Sequence, residues 1–414
     1  MKVRYKWCLL GLLCCSYFFH QADRALFGLL TIPIQGDLGL TDTQIGLINT
    51  ALFCTLAVMN PIAGLMGDRF SRKWIITFSL LFWSFATACT GMVGGMLGLV
   101  FIRSVATGGG ESFYGPSASA LIASHHRETR SLAFAIHQSA LYVGLMLSGT
   151  LVAWALRTLG GWRLVFMSFG TLGFLLGVVF VGALRDVRAV APEPTTARRD
   201  TGRLRLKDSL AAYFGNPAAL CFTGGYLAIV FANNAYLSWA PKFVSRKFGL
   251  DVGAAGSGTM FYHHIAALLA ILGGALLTDR MVRTRPKFRM VFQAGALLLG
   301  APTLVAIGCS DGLAACWAAI AGYGVFRGAF EANTHASLFD VVPPSHRSSA
   351  YGMMTMIAFF VGSLSPLMIG ALSDRYGLRG FETGFCILGI SYVVGAALLA
   401  LSAGVFFDKY RVVD

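Results

Sequence analysis

Gly67-Asp68-Arg69-Phe70-Ser71-Arg72 follows an uncharged, mostly apolar run over 43–66, and Thr278-Asp279-Arg280-Met281-Val282-Arg283 follows another over 252–278, 211 positions later. Each run is long enough to cross a bilayer at roughly 20 residues per span. A charged turn repeated behind two such runs marks an internal duplication of one membrane-embedded half. A second echo agrees: Asp23-Arg24 in the first apolar run corresponds to Asn233-Asn234 in the seventh, at nearly the same shift.

Composition extends that reading to the whole chain. Of 414 residues, 56% are hydrophobic and 13% charged, against about 25% charged in a soluble domain. So few charges do not clothe a water-facing surface of this size, so lipid is the solvent for most of the chain. The expected spans are 7–33, 43–66, 74–93, 95–123, 131–156 and 163–184, then 215–244, 252–278, 288–309, 311–340, 349–372 and 385–407. The predicted fold is therefore an all-α polytopic membrane protein of about twelve transmembrane helices in two pseudo-symmetric six-helix bundles. Its parts are an N-terminal bundle, 1–184, a connector, 185–214, and a C-terminal bundle, 215–414.

The net charge of +14 reads as topology, with no nucleic-acid partner expected. The N-terminus, the loops that follow even-numbered spans and the C-terminus hold 23 of the 33 Lys and Arg residues. The opposite loops hold seven: Arg157, Arg163, Lys242, Arg246, Lys247, Arg375 and Arg379. Positive charge stays inside, so both termini and the connector are expected in the cytoplasm of a cell whose inner membrane holds the protein. The first run continues past Asp23 without a small-residue cleavage site, which predicts an uncleaved first helix. The nine cysteines lie mostly within apolar runs, with no metal or disulfide spacing. The connector, with Pro192, Pro194 and a basic cluster from Arg198 to Lys207, has the composition of a tether.

Gly64-Leu65-Met66-Gly67-Asp68-Arg69-Phe70-Ser71-Arg72-Lys73 resembles the loop signature of the major facilitator superfamily, and it sits between the second and third spans as that signature does. The resemblance implies a secondary transporter, not an enzyme, whose halves rock about a central site. It also implies that Asp68, Arg69 and Arg72, with Asp279 and Arg280 in the copy, form gating contacts. A narrower likeness joins Asp23-Arg24, Trp83-Ser84-Phe85-Ala86-Thr87-Ala88 and Gly110-Glu111-Ser112-Phe113-Tyr114-Gly115-Pro116 to two groups. One is the anion:cation symporters, which carry sugar acids and other organic anions. The other is the Spinster-like lysolipid carriers. In those groups an Arg lies seven residues before the Glu; here Arg103 lies eight before Glu111.

Six charges fall near span centres: Asp23, Arg24, Arg103, Glu111, Arg327 and Glu331. A charge at that depth costs several kcal/mol, so such residues pair or line a wet cavity. Three acids and three bases predict pairing within one polar cavity. Arg24 is the first candidate for substrate binding, because a guanidinium holds a carboxylate through two parallel hydrogen bonds. Glu111 is the first candidate proton carrier: substrate anion and proton would each neutralise the same buried pair. Asp23 and Glu331 are further proton-coupling candidates. Arg327, Glu331 and His335 recur every four residues on one helix face, so Arg327 either pairs within its helix or clamps an anion. Arg103, Tyr114, Gln138, Tyr142, Asn233 and Asn234 complete the substrate-binding set. His20, His137, His263 and His264 fit packed polar residues better than relays.

The expected activity is proton-coupled symport of a small organic anion such as a sugar acid. A lysolipid or amphiphile carrier is the alternative. The expected partners are the anion, protons and membrane lipid, with the chain a monomer, no cofactor beyond the proton gradient and no metal; adjacent His125-His126 is a poor zinc spacing. A channel would show a polar ring or filter in place of paired intramembrane charges.

Overall fold

The structure is a computed structural model that describes residues 2–126, 129–185 and 206–412, without the side chains of 2–4, 65, 67–69, 130–131, 206–209, 345 and 348. The described residues are helical almost throughout, with no strand among them. The N-terminal half comprises α1 (Lys2–Leu29), α2 (Thr31–Leu38), α3 (Asp42–Arg69), α4 (Arg72–Thr90), α5 (Met96–Gly98), a π-helix (Leu99–Ala106), α6 (Thr107–Glu111), α7 (Tyr114–His125), α8 (Arg130–Leu159) and α9 (Trp162–Ala183). The C-terminal half comprises α10 (Leu206–Phe214), α11 (Pro217–Phe248), α12 (Val252–Val282), α13 (Phe288–Cys309), α14 (Leu313–Glu331), α15 (Thr334–Phe339), α16 (Arg347–Gly362), α17 (Leu364–Tyr376), α18 (Leu378–Leu401) and α19 (Phe407–Tyr410).

Ten helical stretches among the described residues are long and apolar enough to cross a membrane. Two further rods do not meet that measure, for visible reasons. In α1 the run His20, Gln21, Asp23 and Arg24 lowers the hydropathy, and the Met96–His125 rod is broken into short segments. Phe78, Phe82, Phe85, Phe101 and Leu276 stand exposed, the surface of a protein whose solvent is lipid. The chain is a multi-pass membrane protein.

The duplication is visible in the caps. Gly39 ends α2 at φ 63° and Gly249 ends α11 at φ 65°, 210 positions apart. Each left-handed glycine turns the chain into the next cap: Thr41, in a capping box with Gln44, and Asp251, which accepts from Gly253. The halves meet where glycine lets backbones touch. A Cβ on Gly28 would lie 2.1 Å from the Leu237 carbonyl oxygen, and one on Gly149 would lie 2.4 Å from that of Gly256.

Several expected boundaries move. The last span begins at Leu378, not 385, because Arg379 and Glu382 continue the helix; Glu382 takes an ion pair from Lys247 at 2.8 Å. Lys242, Arg246 and Lys247, expected in a loop, form the last turns of α11. The spans expected at 7–33, 95–123, 311–340 and 349–372 are each interrupted. Part of the connector, Leu206–Phe214, is helical; its residues 186–205 lie outside the described residues.

Candidate functional site

Two rods break alike. α6 ends at Glu111 and α14 ends at Glu331, and after each acid the chain makes one tight turn before the next helix starts at Tyr114 or Thr334. The turns carry equivalent hydrogen bonds, Phe113 N–H to the Gly110 carbonyl at 3.3 Å and Asn333 N–H to the Phe330 carbonyl at 3.2 Å. Broken helices at membrane depth survive where they are buried in protein or line a cavity. Gly108 and Gly110 seat the first break: a Cβ on either would meet Leu52 or Phe82 within 3 Å.

In the N-terminal half the buried charges form two pairs with different surroundings. Arg24 donates to Glu111 Oε2 from Nη2 at 3.2 Å and from Nε at 3.4 Å. The Glu111 side chain is fully buried while that of Arg24 is 18% exposed, so the pair has one open flank. Glu111 Oε1 has no hydrogen-bond partner, and His20 Nε2 lies 3.8 Å from Oε2. The second pair is closed. Arg103 (1% exposed) donates to Asp23 Oδ2 at 3.3 Å and to the Asp23 carbonyl at 2.9 Å, and Thr87 donates to Oδ2 at 2.9 Å. Asp23 borders a narrow gap shared with Phe19, Trp83, Thr87 and Gly170, inside one half. The two pairs adjoin, with Asp23 within electrostatic reach of Glu111, and Arg103, expected among the substrate ligands, is spent on Asp23.

Arg103 keeps this partner because of the π-helix around it. A π turn holds one more residue than an α turn, so it absorbs the extra residue between Arg103 and Glu111. The Thr107 N–H correspondingly reaches back five residues to the Ile102 carbonyl.

The other candidates divide by exposure. Tyr114 is buried within the N-terminal half, donating to the Leu13 carbonyl at 2.6 Å and lying 3.1 Å from His137 Nε2. Tyr17 stacks on His137 at 4.4 Å between ring centres. It also lies within electrostatic reach of Arg24 and, across the divide, of Glu331 and Tyr351. Gln138 is exposed on α8, one turn before Tyr142. Tyr142 donates to Glu331 Oε2 at 2.6 Å, joining the halves. Arg327 donates to Glu331 Oε1 at 2.9 and 3.1 Å, the pair within one helix that the four-residue spacing allowed. Asn233 is half-buried with its Oδ1 unpartnered, and Asn234 is buried with its Nδ2 unpartnered. His335 is exposed and stacks on Tyr351 at 4.6 Å.

Hydrogen bonds between the halves, among the described residues, run from the Asp42 end only as far as Tyr142 and Glu331. Asp374 accepts from the backbone N–H groups of Asp42 and Thr43 at 2.9 and 2.7 Å. Lys242 is buried against Asp42 and Gln35, Ser373 donates to Asp42 at 2.6 Å, and Arg246 lies 3.4 Å from Asp42. A cavity of about 490 Å³ beside this cluster is lined by Gln35, Asp42, Arg246 and Asp374. The sequence contained a signal for it. Gly370-Ala371-Leu372-Ser373-Asp374-Arg375 repeats the Gly-x-x-x-Asp-Arg pattern of Gly64–Arg69 at the opposite end of the molecule.

Of the gating candidates, the side chains of Asp68 and Arg69 lie outside the described residues. Arg72 reaches the Ala120 carbonyl at 3.5 Å. Arg280 is exposed. Asp279 pairs with Arg289 at 3.4 Å, which also donates to Asp340 at 3.2 Å. Asp340 lies between spans, and burial raises its carboxyl above the ordinary range against the pull of Arg289.

A duplicated helical bundle with broken rods, buried ion pairs at its centre and a seal at one end has the build of a membrane transporter. The chain belongs to the major facilitator superfamily, whose model matches residues 13–366. It is 24% identical over 421 residues to Protein spinster homolog 1 of Xenopus tropicalis, covering 95% of this chain and 79% of the relative. It is 26% identical over 432 residues to a probable sulfoacetate transporter, SauU, of Cupriavidus necator, covering 100% and 96%. Among solved structures, a bacterial homologue of the human lysosomal transporter Spinster, inward-facing and unoccupied, matches with a TM-score of 0.86 at 19% identity, covering 99% of both chains. The nucleoside transporter NupG matches with a TM-score of 0.73 at 15% identity, over 95% of this chain and 98% of that one. The protein is a membrane transporter of small molecules and not an enzyme.

Proposed function

We propose that the protein is a proton-coupled symporter of a small organic anion, such as a sugar acid or another carboxylate, working by alternating access. One observation carries this reading: Arg24 is half of an ion pair whose other half, Glu111, is fully buried while Arg24 keeps an open flank. An anion that engages the Arg24 guanidinium competes with Glu111 for it. Glu111, losing its counter-charge in a dry wall, then favours the neutral form and takes a proton. Anion and proton thus load together, and neither alone satisfies both residues. Asp23 holds Arg103 and so orients the helix beside Arg24. Asn233, Asn234, Gln138 and Tyr142 supply neutral contacts to hydroxyl or sulfonate oxygens. The likeness to a probable sulfoacetate transporter supports an anionic substrate.

In the same reading the positive-inside bias puts both termini in the cytoplasm, and the Asp42 end then faces outward in a twelve-span protein of the inner membrane. The seal at Asp42, Lys242 and Asp374 corresponds to a state open to the cytoplasm. The proton gradient is the driving force, with no cofactor, and the monomer is the working unit. A second reading, an amphiphile carrier, is favoured by the likeness to Spinster homologues. Counterflow in proteoliposomes with sulfoacetate, gluconate and a lysophospholipid separates the two. Uptake of either anion, accelerated by an inward proton gradient, is the expected result. Transport of the lysophospholipid alone would reject the anion reading.

A further inference from the structure

Arg327 sits one turn before the break at Glu331 and divides its guanidinium between two partners. Nε and Nη2 donate to Glu331, and Nη1 lies 3.0 Å from Nε2 of His263 on α12. A guanidinium has donors and no acceptor, so Nε2 of His263 must be the accepting nitrogen. The contact therefore holds the ring neutral with its proton on Nδ1, which lies near the Ile320 carbonyl but outside good hydrogen-bond geometry. The ring is fully buried, between Tyr236 at 4.7 Å and Tyr323 at 4.6 Å.

The groups around His263 are mostly neutral. His264 abuts it on its own helix, Tyr236 faces it from α11, and Tyr323 and Arg327 face it from α14. Tyr392 of α18 stands behind Tyr323 at 6.0 Å, and α8 brings Tyr142 to Glu331. Glu331 reaches His263 through Arg327.

We propose that His263 is a second proton site and that its protonation and the docking of Arg327 exclude one another. The proposal rests on the symporter reading and deepens it. A proton added to Nε2 turns the acceptor into a donor that points at an N–H group, so Arg327 must leave. Its freed Nη1 then faces the divide beside Glu331 as a second clamp for the carboxylate or sulfonate of the substrate. The chain of contacts His263–Arg327–Glu331–Tyr142 crosses from one half to the other. A proton on His263 is thus felt at the hydrogen bond that joins the halves deepest from the Asp42 end. The anion and the proton again load together, now on the C-terminal half, which mirrors Arg24 and Glu111 on the N-terminal half.

The test is NMR of the full chain in lipid nanodiscs with nitrogen-15 in His and Arg, titrated downward from about pH 8, through and below the range in which imidazole ordinarily changes charge. The expected ring at the alkaline end is the Nδ1–H tautomer. On acidification it becomes doubly protonated, and the Arg327 guanidinium signal shifts over the same interval. His263→Gln keeps an acceptor for Nη1 but cannot titrate, so the Arg327 signal becomes independent of pH. An Nε2–H tautomer at the alkaline end, a ring that stays neutral throughout, or an Arg327 shift that persists in His263→Gln each overturns the proposal. Should His263→Gln misfold, Arg327→Gln serves instead: its expected effect is loss of the single tautomer, and an unchanged ring spectrum overturns the proposal. Failure of proton-driven uptake of sulfoacetate or gluconate by the wild type would reject the symporter reading and leave the spectroscopic result to stand by itself.

Discussion

The carboxylate of Asp374, on the C-terminal half, accepts the backbone N–H of Thr43 at 2.7 Å, in the first turn of a helix that belongs to the N-terminal half. Four N–H groups at a helix start lack partners within the helix, and a carboxylate there gains both hydrogen bonds and the favourable end of the helix dipole. Because the donor helix and the acceptor lie on different halves, this cap exists only while the Asp42 end is closed. Asp374→Asn keeps the shape and removes the charge. A loss of about 1–2 kcal/mol makes opening of that end roughly tenfold more frequent. Hydrogen–deuterium exchange of the Thr41–Ile45 amides is expected to quicken by that factor, and unchanged exchange would show that Asp374 does not latch the halves.

Glu111→Gln separates proton coupling from substrate passage. The amide keeps a hydrogen-bond acceptor for Arg24 but cannot take up a proton. Substrate exchange across a proteoliposome membrane is expected to continue, while accumulation driven by a proton gradient is lost. Accumulation at the wild-type level would transfer the coupling role to another residue.

The duplication, the two bundles and the identities of the paired charges were legible in the sequence, because uncharged runs and buried charges are rare enough to read without neighbours. The breaks after Glu111 and Glu331 were not. Ser112-Phe113 and Ala332-Asn333 sit inside runs that stay apolar enough to read as continuous spans; Gly108-Gly109-Gly110 and Pro116 favour a break at the first, but nothing in local propensity demands one at the second. That Arg103 is spent on Asp23 and Arg24 on Glu111 was also hidden, since sequence gives depth but not the face on which a neighbouring helix packs. Arg103 is instructive here. Its displaced spacing looked like a departure from the pattern, yet the π-helix over Leu99–Ala106 restores its alignment with Asp23. Lys242 was read as a loop charge because it lies near a span end; its burial against Asp42 depends on the other half being there.

The two arginines of the N-terminal half should fail differently. Arg103→Ala leaves Asp23 buried without a counter-charge, a change that costs about 3–5 kcal/mol in comparable pairs, so a large drop in the unfolding temperature of detergent-solubilised protein is expected. Arg24→Ala opens onto a wetter flank, and Glu111 can relax by binding a proton. A smaller thermal effect is expected, with anion affinity weakened more than tenfold by loss of charge-assisted hydrogen bonds worth about 1.5–3 kcal/mol. Equal affinity of Arg24→Ala and wild type for every transported anion would remove Arg24 from the binding site.

Gly149 and Gly144 lie on the same helix and test the halves against the fold. A side chain at Gly149 meets the Gly256 carbonyl oxygen at 2.4 Å and the Ser257 Cα at 2.7 Å, both backbone atoms of the opposite half. Neither can yield without parting the two bundles. A side chain at Gly144 meets the Phe18 carbonyl oxygen at 2.7 Å, within its own half. Gly149→Leu is therefore expected to fold, to populate a state parted at the Asp42 end and to lose exchange, because a carrier that cannot close one end cannot complete its cycle. Gly144→Leu is expected to cost about 1–3 kcal/mol of stability through overpacking and so to lower the unfolding temperature, without selecting a state. Cryo-electron microscopy of Gly149→Leu decides the matter: a structure still sealed through Asp42, Lys242 and Asp374 would mean that the contact at Gly149 does not govern closure.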